Sequence, residues 1–133
     1  MLLEFRVRNY RSIRDEQALN LVASSDKEMA STHLAPTGLK ATPHALRSAV
    51  VYGPNASGKS TVLRALDYLR AVVAESATVI QPGQTYNVQP FRLDARNVEQ
   101  ATEFEITFLL GGVRHQYAFA MTAQRIVSES LLV

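Results

Sequence analysis

The chain has no cysteine and no tryptophan among its 133 residues. Without thiols there are no disulfides and no thiolate metal sites, a composition compatible with a reducing cytoplasm. No apolar run approaches the roughly 20 residues of a membrane-spanning helix, and the opening residues lack the apolar stretch of a signal peptide. The expectation is a cytoplasmic protein with no membrane partner. Neither sign of charge dominates: 14 Lys and Arg against 12 Asp and Glu leave +2. Bulk charge therefore does not demand nucleic acid as a partner. Gly (6) and Pro (5) are few, and neither a repeat nor a low-complexity tract occurs. With 47% apolar and 20% charged residues, the chain suits one ordered domain with its own core.

What is present centres on Gly53-Pro54-Asn55-Ala56-Ser57-Gly58-Lys59-Ser60-Thr61. These residues fit G-x-x-x-x-G-K-[ST], the phosphate-binding P-loop. The four fixed positions would coincide by accident in a chain this short about once in a few hundred sequences. Ahead of them Ala49-Val50-Val51-Tyr52 reads as a short buried strand over 48–52. Behind them Val62, Leu63, Leu66, Leu69 and Val73 recur at helical spacing to about Ala74. Strand, glycine-rich turn and helix is the context the motif requires. The chemistry follows from the residue types. A nest of backbone N–H groups replaces the water around a triphosphate, and the helix adds the positive end of its dipole. Gly53 and Gly58 suit positions of close approach or positive φ. Lys59 is the candidate catalytic residue, reaching the β- and γ-phosphates. Ser60 is the candidate magnesium ligand through its hydroxyl. Pro54 stiffens the loop, and Asn55 and Ser57 supply polar groups on the γ-phosphate side.

Elsewhere the pattern is mainly β. Leu3, Phe5 and Val7 alternate with Glu4, Arg6 and Arg8, predicting a half-buried strand from the first residue. Ala18 to Val22 predicts a second strand beside it. Between them Arg6, Arg8, Arg11 and Arg14 interleave with Tyr10, which leaves three readings open: a solvated strand face, proximity to a nucleotide, or contact with nucleic acid. Residues 24–46 read as a long connection with one helical turn, and His33 and His44 within it as surface histidines. Residues 75–90 read as a second connection with a turn at Pro82-Gly83, and Phe91-Arg92-Leu93 as a short edge strand. From Glu103 to Met121 alternation around Gly111-Gly112 predicts a hairpin with Leu110 opposite Val113, Phe108 opposite His115, Ile106 opposite Tyr117 and Phe104 opposite Phe119. That register makes His115 a packed histidine. Residues 126–133 suggest one more strand.

The segment GPNASGKST resembles the Walker A of ABC-type ATPases, G-x-N-G-x-G-K-[ST]. The opening strand followed by Asn9-Tyr10-Arg11-Ser12 resembles the start of SMC, RecF and OLD-like ATPases, which serve DNA repair, chromosome organisation and anti-phage defence. With Ala56 at the usual glycine, the Gly-Gly hairpin and a Val-Ser-Glu strand, the chain looks most like the bacterial AAA-type subgroup near OLD proteins. The resemblance implies an α/β, α+β-like fold class: the N-terminal lobe of a P-loop NTPase, with antiparallel strands around the P-loop strand and helix. It implies ATP with magnesium as cofactors, sandwiched between two such domains, hence a homodimer or higher homo-oligomer through the ATP site, with DNA or an effector protein as a candidate further partner. It also implies that residues 53–61 bind the nucleotide and that Arg11 and Ser12 lie near it. Ala56 departs from the family pattern and requires a backbone conformation that alanine tolerates.

Hydrolysis needs a further carboxylate on a Walker B strand. Asp67 lies inside the predicted helix, and Glu129 follows a run that is too short and broken by Ser128. Leu109-Leu110-Gly111-Gly112 imitates part of an ABC signature but sits between alternating strands. The expectation is therefore that residues 1–133 are the N-terminal portion of a single, truncated ATPase domain, inactive alone and hydrolytic in the complete protein. The alternative is a nucleotide-sensing, structural or DNA-binding module that does not hydrolyse ATP. A P-loop kinase or GTPase fits less well, since no guanine-reading Asn-Lys-x-Asp occurs.

Overall fold

The computed structural model describes residues 1–25, 29–75 and 85–133. Period-two alternation produces the central sheet. In β1 (Leu2–Arg8) the odd-numbered Leu3, Phe5 and Val7 are buried, and the residues between them face outward. β1 pairs antiparallel with β2 (Gln17–Asn20) on one side and with β5 (Thr102–Leu110) on the other. β5 turns through Gly111-Gly112, both at positive φ, into β6 (Val113–Met121). β7 (Ile126–Leu132) completes the order β2-β1-β5-β6-β7. The β5–β6 register is the one the alternation predicts, with all four pairs as named. His115 stacks on Phe108 at 5.2 Å and its Nδ1 donates to the Val113 carbonyl at 3.0 Å, so it packs rather than reaching a site.

One face of the sheet carries the core. α2 (Lys59–Glu75) lies against it through Ala65, Leu69 and Val72, which meet Phe5, Val7, Phe104, Phe119 and Met121. Tyr10, Tyr68, Phe104 and Phe119 form a chain of rings with centroids 5.1–5.8 Å apart. Such ring contacts add to area burial. The opposite face is polar, where Arg6 bonds Glu4 and Glu16, and Arg8 bonds Glu103. Those two arginines thus belong to a solvated, ion-paired strand face, where each pair contributes little.

Three readings need correction. Residues 48–52 form no strand, and Val50 and Tyr52 are 85% and 88% exposed. A strand needs neighbouring backbone to satisfy its N–H and C=O groups, and among the described residues none pairs with this segment. The antiparallel sheet and helix stand without it. Phe91 to Leu93 is likewise not a strand: the Phe91 N–H is spent on the Asn9 side chain at 3.0 Å, and Pro90 has no N–H to give. Residues 24–46 hold more than one turn. After α1 (Ala30–His33), β3 (Leu34–Pro36) pairs with β4 (His44–Leu46), each too short for alternation to show. The polar segment before β5 includes a further turn of helix, α3 (Ala95–Val98), whose N-cap Asp94 accepts from the Arg96 N–H at 3.1 Å. Arg96 holds the Asp94 carboxyl below its ordinary range. The Pro82-Gly83 turn lies outside the described residues.

Candidate phosphate-binding cleft

Gly53 to Gly58 leads into the N-terminus of α2, where the first N–H groups of any α-helix lack acceptors. Thr61 and Val62 already reach back to the Gly58 carbonyl at 2.9 and 3.2 Å. Three residues of the loop lie at positive φ: Gly53 at 154°, Ala56 at 65° and Gly58 at 91°. A Cβ on Gly53 would come within 3.1 Å of Ser57 Oγ, so the loop closes on itself there. Ala56 takes the left-handed conformation where the resembling pattern has glycine, at a cost of roughly 1 kcal/mol. Lys59 folds back along the loop: its Nζ donates to the carbonyls of Gly53 (2.8 Å) and Pro54 (2.7 Å) and lies 3.5 Å from Ser57 Oγ. The ammonium thus sits at the loop's mouth on neutral acceptors. A phosphate oxygen would compete well with these, because its negative charge adds a direct ion–ion attraction that a carbonyl lacks.

The loop forms one wall of a cleft of about 710 Å³. Gly53, Pro54, Ala56, Ser57, Gly58 and Lys59 line it on one side. Ser12, Arg14, Asp15, Gln17 and Phe91 close it from the β1–β2 turn and the segment before α3. Of the predicted residues, Ser12 is brought to the loop, sharing a 2.8 Å hydrogen bond with Thr61. Arg11 is not on this wall. It borders an adjoining cavity, with its guanidinium 5.5 Å from the Tyr10 ring centroid. Asn55 and Ser60 do not line the cleft, and both are exposed. Phe91, Asp15 and Gln17 were missed by sequence reasoning, since nothing in the local pattern marks them. Arg14 was visible only as one of four arginines, and Asp15 holds it in an ion pair of 2.9 Å.

The β1–β2 turn is fixed by a buried polar residue. Asn9 is 1% exposed and sits at φ 53°. Its Nδ2 donates to the carbonyls of Asn97 (2.8 Å), Gln100 (3.0 Å) and Ala101 (3.2 Å), while its Oδ1 accepts from Phe91 N. Thr102 Oγ1 donates to the Asn9 carbonyl at 2.7 Å, and Arg11 N donates to the Gln89 carbonyl at 2.8 Å. One side chain therefore ties the turn that carries Ser12 to the segment that carries Phe91.

A turn rich in positive φ at a helix mouth, an invaginating lysine and an open cleft fit a polyphosphate tail and define a P-loop protein. The sequence comparison agrees. Residues 48–132 match the AAA_21 family, described as "AAA domain, putative AbiEii toxin, Type IV TA system". The chain belongs to this family of AAA domains, a nucleotide-binding, ATPase-like class. No curated protein sequence matches it. Among the described residues no helix is long and apolar enough to cross a membrane, and no group of three acidic or imidazole side chains gathers as a metal site.

Proposed function

We propose that the chain binds ATP with magnesium in this cleft and, within the complete protein, takes part in ATP hydrolysis. The observation that carries the reading is the open cleft walled by Gly53, Pro54, Ala56, Ser57, Gly58 and Lys59 at the mouth of α2. In this reading the backbone of Gly53 to Thr61 and the Lys59 ammonium hold the phosphates, while Ser12 braces the helix start through Thr61. Arg11 flanks the nucleotide from the adjoining cavity. The Ser60 hydroxyl, exposed at the start of α2 just outside the cleft lining, would hold magnesium, which would supply charge neutralisation to the phosphates. Residues 1–133 act as the N-terminal portion of an ATPase domain that pairs with a second copy across ATP. Closing and opening of the two heads would drive a DNA-related or anti-phage defence step. The toxin–antitoxin description of the family is in keeping with a defence role.

A second reading is a sensor that binds ATP without turnover. It is favoured by the cleft wall, where the carboxylate among the described residues is Asp15, and Asp15 is already held by Arg14. Calorimetry with Mg-ATP on the wild type and on Lys59→Ala tests binding: we expect at least about a ten-fold loss in the variant. Equal affinity would remove the P-loop from the argument. Phosphate release by the complete protein, abolished by Lys59→Ala, separates the ATPase from the sensor.

A further inference from the structure

Beside the nucleotide cleft lies a second, smaller cavity of about 350 Å³. It shares Ser12 and Phe91 with the cleft, and its other walls include Arg11, Gln89 and Arg92. Among the described residues no carboxylate lines it. Arg6, Arg8, Arg14, Arg70 and Arg96 each have a carboxylate partner within 3.2 Å, whereas Arg11 and Arg92, like Arg47, Arg64, Arg114 and Arg125, have none among the described residues. The nearest acid in sequence, Asp94, is taken by Arg96 at 2.8 Å. Arg11 Nε is buried and has no hydrogen-bond partner among the described residues. The backbone that places it is strained, with Arg11 at φ 52°, and is pinned by its N–H to the Gln89 carbonyl. Strain of this kind persists only where the surroundings over-determine it, and it gathers at ligand clamps. Two permanently charged arginines from distant parts of the chain line one cavity in which no described residue supplies an anion, and this favours an anion from outside.

We propose that the Arg11–Arg92 cavity is a phosphate-binding subsite distinct from the P-loop. Gln89 and Ser12 offer further polar groups at its walls, and Phe91 separates it from the cleft. The phosphate comes either from the nucleotide held next door or from a nucleic-acid backbone. Only the first source rests on the nucleotide reading above.

The test uses inorganic pyrophosphate and calorimetry on the chain carrying Lys59→Ala, which removes the P-loop's charge. A binding event should persist there and weaken at least about ten-fold when Arg92→Gln is added, with Arg11→Gln giving the same direction. Arg92 is exposed and has no carboxylate partner among the described residues, so its variant should fold and its melting temperature is the control. Two arms on the otherwise wild-type chain identify the source. A ten-fold loss of Mg-ATP affinity in Arg92→Gln assigns the phosphate to the nucleotide. A fall of about 0.9 in the slope of log affinity against log salt for a short DNA duplex assigns it to nucleic acid. If pyrophosphate, Mg-ATP and duplex binding are all indifferent to Arg92→Gln, the subsite does not exist. Equal Mg-ATP affinity in Lys59→Ala would instead sink the P-loop reading and leave the pyrophosphate result standing on its own.

Discussion

Replacing Asn9 with alanine removes the polar hub behind the cleft. Its amide makes contacts to three carbonyls and one N–H, but an NH₂ group has two hydrogens, so the three carbonyls share two donors. Three full hydrogen bonds at about 0.5–1.5 kcal/mol each give a loss of roughly 1.5–4.5 kcal/mol. Alanine at φ 53° adds roughly 1 kcal/mol of left-handed strain. The sum is a large fraction of the 5–15 kcal/mol that typically holds a domain of this size. Asn9→Gly separates the terms, because glycine accepts the backbone angle at a smaller entropic cost. It should be more stable than Asn9→Ala by about 0.5–1 kcal/mol while still losing the side-chain bonds. Urea unfolding followed by circular dichroism measures both variants. Hydrogen exchange at the Phe91 amide, which loses its acceptor, should rise in each. An Asn9→Ala chain within about 0.5 kcal/mol of wild type, or one whose Phe91 amide remains protected, would refute the reasoning.

Ala56→Gly should relieve the left-handed alanine in the loop and, after glycine's entropy cost, stabilise the chain by about 0.5 kcal/mol, read as a small rise in melting temperature with Mg-ATP affinity retained. Alkaline pH should unfold the protein through its tyrosines. Burial pushes the Tyr68 hydroxyl up to about 12, and burial together with the 2.6 Å bond to Glu129 raises Tyr117 as well. Both folded values lie above the ordinary 10, so the stability they contribute is full below pH 10 and is lost as pH rises through the folded values. Melting temperature should therefore hold to about pH 10 and fall beyond it, less steeply in Tyr68→Phe; an unchanged slope in that variant would contradict the burial argument. Leu69→Ala, in the buried stripe of α2, should cost about 2–4 kcal/mol, and a smaller loss in chemical denaturation would mean that the helix is held by something other than this face.

Local chemistry written along the chain determined a good deal of this protein. Alternation fixed β1 and the β5–β6 register, because a slip of one residue would expose every apolar side chain. The glycine spacing and the lysine located the candidate phosphate loop, because few backbone conformations present consecutive N–H groups to an anion. Helical spacing placed α2, but it could not say which side faces inward: Ala65, Leu69 and Val72 are buried, while Leu63 and Val73 are exposed. Only the tertiary structure decided the rest. A strand exists only with a partner, so the apolar run at 48–52 could not become one by its own composition. The three-residue strands β3 and β4 exist through each other and through Leu46 N–H donating to the Leu21 carbonyl. Arginines that look alike in sequence part company in space, with Arg6 and Arg8 ion-paired across a sheet and Arg11 lining, with Arg92, a cavity without acids among the described residues. The far wall of the cleft joins residues near 12–17 to Phe91 through the four contacts of Asn9. Those partners are remote along the chain, and a single sequence carries periodicity and local chemistry but no record of which distant carbonyls one buried amide will satisfy.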